Sequence, residues 1–106
     1  MSIVAIAKIK AGEGKALEAL TLIQTSQKKA LASGLCEKFD ILQSSTDPGF
    51  FSLLEVWSSR ENHTKFLGGL MSDSEFTAAM VCIESGPNIE YFNLMKEGFY
   101  ATQLID

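Results

Sequence analysis

Apolar residues fall along this chain in two rhythms. Short runs are apolar at every position or every second one, and between them lie stretches in which apolar residues return every third or fourth. Ile3 to Ile9, IVAIAKI, is β-branched and apolar on both parities, which predicts a strand. Gly12 and Gly14 break it. Leu17, Leu20, Ile23, Gln27 and Leu31 then recur at helical spacing, with Lys15, Glu18, Lys28 and Lys29 elsewhere on the cylinder. Gly34 sits where a left-handed residue would close that helix. Cys36 to Gln43 reads as a second strand, in which Phe39 and Ile41 alternate with Lys38, Asp40 and Leu42. Asp47-Pro48-Gly49 is turn chemistry, because proline presets φ and glycine accepts positive φ, so the second and third strands should form a hairpin. The third strand, Phe50 to Trp57, is apolar on both faces: Phe51, Leu53 and Trp57 on one, Phe50, Leu54 and Val56 on the other. Glu55 interrupts it on the Leu53/Trp57 side.

Ser58 and Glu61 have the spacing of a capping box, which predicts a helix starting there. His63, Phe66, Leu67 and Leu70 form its inward stripe, and Gly68 and Gly69 should stop it. A further helix is expected from Ser72, with Glu75 as the capping glutamate and Phe76, Ala79, Met80 and Ile83 buried, ending at Gly86-Pro87. Asn88 to Met95 completes the strands, with Ile89, Tyr91 and Met95 on one parity and Phe92 and Leu94 on the other. Residues 96–106 read as an exchanged or loosely docked tail of a single domain spanning 1–106.

The resulting order, β-α-β-β-α-α-β, predicts an α+β fold: a ferredoxin-like split βαβ with an antiparallel sheet and one extra short helix. Right-handed crossovers put the helices on one face of such a sheet. The other face is apolar as well, and no element remains to cover it. Leaving it bare would forgo about 25 cal/mol per Å² of apolar surface, so a second copy of the chain is expected there, as an isologous homodimer whose sheets meet in an α/β barrel.

Composition narrows the function classes. The chain has 106 residues, enough for one domain whose core needs neither disulfide nor metal. Its net charge is -4 and no basic cluster exceeds Lys28-Lys29, which argues against a nucleic-acid partner. Cys36 and Cys82 fit no metal-ligand spacing and read as reduced thiols. The amino end enters a strand at once, without the layout of a signal peptide, and no apolar run approaches the ~18 residues of a membrane span. A soluble, cytoplasmic protein without a membrane partner is expected.

Candidate chemistry gathers on the third strand and the helix after it. His63, the single histidine, lies on an apolar stripe. Such a residue is either a core histidine bonded to a backbone carbonyl or a base, since a neutral imidazole can take a proton near neutral pH. Trp57 can pack in the core or form a flat wall for an aromatic ring. Glu55 is a second candidate, whose pKa burial would raise. Phe76 and Met80 are core positions that can also line a pocket, and Tyr91 and Asn93 share a parity from which they could orient a ligand. No phosphate loop, nucleotide fingerprint or nucleophile elbow is present, and one histidine is too few for a metal site, so no cofactor or metal is expected.

The opening IVAIAKIK followed by GEGKALEAL, the segment TDPGFFSLLEVWSSRE and the later SDSEF resemble the antibiotic biosynthesis monooxygenase superfamily, over roughly Ile3 to Met95. The resemblance implies a dimeric α/β barrel with a pocket between sheet and helices, lined by Trp57 and His63. It also implies an activity: cofactor-independent oxygenation of a small aromatic or quinol-type molecule with O2. Phe66 and Glu75 stand where many quinol-oxidising members carry histidine, and the first strand lacks the asparagine of the haem-degrading branch. His63 is thus the expected catalytic residue, with Trp57, Glu55, Phe66, Phe76, Met80, Tyr91 and Asn93 around the substrate. The competing expectation is a non-catalytic dimeric ligand-binding or stress-related module on the same barrel, or, by fold analogy alone, an isomerase of small lactones.

Overall fold

A computed structural model of the chain describes residues 2–95, so the expected tail at 96–106 lies outside the described residues. The elements run β1 (Ile3–Ala11), α1 (Ala16–Ala32), β2 (Cys36–Gln43), β3 (Phe50–Trp57), α2 (Arg60–Met71), α3 (Ser74–Ala79) and β4 (Ile83–Asn93), with a 3-10 turn at Met80–Cys82 between α3 and β4. The strands form one antiparallel sheet in the order β2-β3-β1-β4, the ferredoxin-like arrangement read from the sequence. As a single chain the sheet is open, with β2 and β4 at its edges.

β1 and β3 fill the centre and set the two faces. In register, Ala5, Ala7 and Ile9 pair with Glu55, Leu53 and Phe51, and this row faces the helices. Alternate positions, Val4 and Ile6 with Val56 and Leu54, form the outer face, flanked at the edges by the exposed Leu42 and Phe92. On the inner face Ala5 and Ala7 on β1 stand opposite the larger Glu55 and Leu53 on β3, while Ile3 and Ile9 pair with Trp57 and Phe51 at either end of the row.

Several local expectations are corrected. α1 buries Ala19, Ile23 and Ala30, whereas Leu17 is 71% exposed and Leu31 also faces outward. Small residues let the helix axis approach the sheet, and Gln27 anchors the contact by donating from Nε2 to the Phe39 carbonyl at 2.7 Å. Gly34, at φ +76°, does close α1 in the left-handed region. The cap of α2 is Ser59 rather than Ser58: Ser59 Oγ accepts from the Asn62 N–H, and Ser58 Oγ accepts from the Asn62 side chain. α2 runs through Gly68 and Gly69 to Met71, because exposed glycines cost a helix only about 1 kcal/mol each and break nothing. α3 is capped by Asp73 rather than Ser72, and Asp73 Oδ1 accepts from two backbone N–H groups. α3 is shorter than expected and buries no residue completely; Ala79 is exposed and Ile83 already belongs to β4. β4 begins before Gly86-Pro87 and passes through that pair with a shift of register, which an edge strand tolerates because it has one partner to satisfy.

Candidate functional site

The register of the inner face creates the site. Ala5 pairs with Glu55 on one side and with Tyr91 on the other, so Glu55, Ala5 and Tyr91 form a row across β3, β1 and β4. A methyl group is all that Ala5 contributes, and the ring of His63 from α2 reaches both of its larger neighbours. His63 Nδ1 lies 2.7 Å from the Tyr91 hydroxyl. His63 Nε2 lies 3.6 Å from Glu55 Oε1. The Trp57 indole N–H donates to the same Oε1 at 2.9 Å. The imidazole packs edge-on to Trp57 at 5.2 Å and to Tyr91 at 5.4 Å between ring centres. Trp57, Glu55 and His63 are 0%, 4% and 1% exposed.

Position follows from local sequence. Trp57 is the last residue of β3 and Glu55 precedes it by one alternation, which puts both on the inner face. Two residues later Ser59 caps α2, and its first turn carries His63 back over the strand it has just left.

Burial sets the charges. Removal from water disfavours the ionised carboxyl, so the Glu55 pKa is pushed up to about 7, and the Trp57 N–H offsets only part of this. The same desolvation lowers the pKa of His63, so the imidazole is held neutral. Near neutral pH the pair therefore shares little charge, and Glu55 is poised between its two protonation states.

Glu55 and His63 also form part of the wall of a cavity of about 60 Å³ between the sheet and the helices. The rest of the wall is almost wholly apolar, including Leu53, Phe66, Leu70, Phe76, Met80 and Ile89. Of the residues expected at the site, Glu55, His63, Phe66, Phe76 and Met80 border the cavity. Trp57 does not; it bonds Glu55 and packs on Phe66 at 5.0 Å between ring centres. Tyr91 is also off the wall and meets His63 from the side. Asn93, at the exposed end of β4, is brought to neither. His63 bonds a tyrosine hydroxyl rather than the backbone carbonyl expected of a core histidine.

Two contributors escaped the sequence reading. Ala5 is the small residue between Glu55 and Tyr91, the two side chains that His63 bridges. Arg60 places its guanidinium 4.3 Å from the centre of the Tyr91 ring, a cation–π contact. Arg60 precedes His63 by three residues on one helix, so its spacing was the available signal. Among the described residues no three His, Cys, Asp or Glu side chains converge as metal ligands would.

The fold and the site define a class: a ferredoxin-like sheet with helices on one face and, between the two layers, an apolar cavity edged by a buried carboxyl–imidazole pair. Residues 2–80 match the antibiotic biosynthesis monooxygenase family, and the chain belongs to it. Similar solved structures include a putative antibiotic biosynthesis monooxygenase from Caulobacter crescentus, with 23% identity, TM-score 0.71, and 90% of this chain and 91% of that one covered. A protein so named from Nitrosomonas europaea gives 15% identity, TM-score 0.73, and coverage of 91% and 92%. Rv0793 from Mycobacterium tuberculosis gives 14% identity, TM-score 0.72, and coverage of 92% and 99%. At these identities the structures speak for the fold alone. No functionally curated protein matches the chain.

Proposed function

We propose that this protein is a cofactor-independent monooxygenase that takes a small hydroxylated aromatic and O2. The observation that carries the reading is the buried Glu55–His63 pair set into an otherwise apolar wall. An apolar cavity suits an aromatic ring, and a proton-accepting group with a pKa near neutrality suits removal of a phenolic proton. The anion so formed is electron-rich. It passes one electron to O2, and the resulting radicals couple at the ring carbon para to the phenolic oxygen, which carries one hydrogen; the peroxide anion takes back the abstracted proton to give a hydroperoxide. Loss of water leaves a carbonyl: that carbon keeps one oxygen atom, and its hydrogen and the returned proton leave with the other as water. The protein's part is to take the proton, hold the ring and keep bulk water out.

The same proposal includes a second copy of the chain, packed sheet to sheet over Val4, Ile6, Leu54 and Val56 in a dimeric barrel, and a cytoplasmic setting with Cys36 and Cys82 reduced. Equilibrium sedimentation at micromolar concentration should give the dimer mass; a monomer there removes the barrel. No helix among the described residues is long and apolar enough to cross a membrane.

Cavity size favours a second reading. A core cavity of about 150 Å³ holds benzene, and this one has about 60 Å³. A ring is better accommodated if the wall adapts, and Met71, Met80 and Phe76 at the α2–α3 end are the adaptable part of it. A non-catalytic ligand-binding module would need no more than that. Oxygen uptake with a panel of quinols and anthrone-like phenols separates the two. The monooxygenase consumes O2 and loses that activity in His63→Ala, with the fold retained. The binding module quenches Trp57 fluorescence on adding the phenol and consumes nothing.

A further inference from the structure

The hydrogen bonds around Glu55 have a direction, and the direction assigns the proton. An indole N–H can only donate. Glu55 Oε1, which receives it at 2.9 Å, is therefore an acceptor, and in the ionised carboxylate, the state able to take a proton, it has no hydrogen to donate in turn. His63 Nε2 faces that same oxygen at 3.6 Å. The contact is longer than a hydrogen bond, yet a ring lone pair aimed at an acceptor oxygen is repelled and an N–H is attracted. Nε2 thus carries the ring proton. In a neutral imidazole Nδ1 then holds the lone pair, so the Tyr91 hydroxyl at 2.7 Å donates to it. Both ring nitrogens are engaged, and neither is open to a proton from the cavity. Among the described residues Glu55 Oε2 has no hydrogen-bond partner, and Glu55 borders the cavity.

We propose that Glu55, through Oε2, is the catalytic proton acceptor of this site, and that Tyr91 is a positioning residue that holds His63 as a donor toward it. The proposal rests on the monooxygenase reading for its substrate and on the geometry alone for its polarity. In the step, the hydroxyl O–H bond of the bound phenol breaks, an O–H bond forms at Oε2, and the phenolate keeps the electron pair. The charge moves from one buried oxygen to another without being created. Protonating His63 instead would place a new cation and a new anion in an apolar wall, which is the costlier route. The raised pKa of Glu55 agrees with this assignment. The titratable groups facing Glu55 are His63 from α2, Tyr91 from β4 and Cys36 from β2; α1 contributes Ser26 to the cavity wall and no charge. Burial pushes the Cys36 thiol up to about 11, well above the pH range of the step.

The chain has one histidine, so 15N-histidine labelling gives a single imidazole in the NMR spectrum. At about pH 7.5, roughly one unit above the reference histidine pKa, the expected pattern is a neutral ring protonated at Nε2 with Nδ1 as acceptor. Tyr91→Phe should let the two tautomers mix. A proton on Nδ1 in the unmodified protein overturns the proposal, because Nε2 would then present its lone pair. The kinetic arm uses an anthrone-like phenol and oxygen uptake. Glu55→Gln keeps the Trp57 acceptor and should lower kcat by about a hundred-fold or more with KM little changed. It should also abolish the rise of kcat/KM through neutral pH, whereas Tyr91→Phe lowers kcat and keeps that rise. A Glu55→Gln enzyme that retains the pH rise overturns the proposal. The ring spectrum needs no turnover, so a correctly protonated ring in a protein that consumes no oxygen counts against the monooxygenase reading and not against the polarity.

Discussion

The two faces of the sheet are built from the same strands and carry comparable apolar side chains, yet they do different work. On the inner face Ala5, Ala7, Phe51, Leu53 and Trp57 sit under α1 and α2, and Glu55 has been admitted among them. On the outer face Val4, Ile6, Leu54 and Val56 have no helix above them among the described residues; Val4 and Val56 are buried, and Leu42 and Phe92 at the edges are exposed. On the outer face the carboxyl of Asp40, in register with Leu54, is about half exposed and pairs with Lys38 at 3.4 Å. On the inner face the same group lies beside His63 and Trp57 with its pKa pushed up to about 7. Covering a sheet therefore does more than stabilise it. It turns an interrupting polar residue into a reactive one.

The largest effect expected from testing that contrast is on the inner face. Phe51→Ala should destabilise the fold by about 3–5 kcal/mol in urea unfolding, while Leu54→Ala, on the adjacent outer face, should cost less than about 2 kcal/mol in dilute protein. Equal costs would erase the distinction between the faces.

Next comes the pH dependence of Glu55. Its folded pKa is raised, so its contribution to stability is complete below the unfolded value of 4.5 and is lost as pH rises through about 7. Glu55→Gln has no such loss. Compared with the unmodified protein, it should be more stable above neutrality by roughly 3 kcal/mol, with the gain vanishing toward acid pH. His63, whose pKa is lowered, works in the opposite sense: its contribution is present above 6.5 and is lost as pH falls. The subtraction of the two proteins, which share His63, isolates the carboxyl. A constant difference across pH would mean that Glu55 is solvated.

Ala5→Val tests the gap between Glu55 and Tyr91. Added methyl groups in that row should cost about 1–3 kcal/mol and displace His63, read as a shift of its ring resonances. The smallest effect belongs to the cap that launches α2: Ser59→Ala should cost about 1 kcal/mol, with the site geometry unchanged once folded.

Much of this was legible in the sequence, for reasons that differ by element. β2 and β3 run over the residues their alternation marks, since the turn at Asp47-Pro48-Gly49 pins both ends of the hairpin. α1 was legible as a helix but not in its inward face, because hydropathy ranks leucine above alanine while close packing preferred Ala19 and Ala30 to Leu17 and Leu31. Both helix caps were misplaced by one residue. In SSRE and SDSE two neighbouring side chains can each cap, and only the backbone decides between Ser58 and Ser59 or Ser72 and Asp73. At the site, strand parity placed Glu55 and Trp57 on the inner face, and helical spacing turned His63 toward it. The meeting of His63 with Tyr91, 28 positions later, depends on the register of β4 against β1, which local pattern does not carry.

Labelled oxygen tests the central claim most directly. With 18O2 and an anthrone-like phenol, the account predicts one labelled atom in the product carbonyl and the other in water, with both lost in Glu55→Gln. Hydrogen peroxide with an unlabelled product, or label incorporated at an undiminished rate by Glu55→Gln, would contradict it.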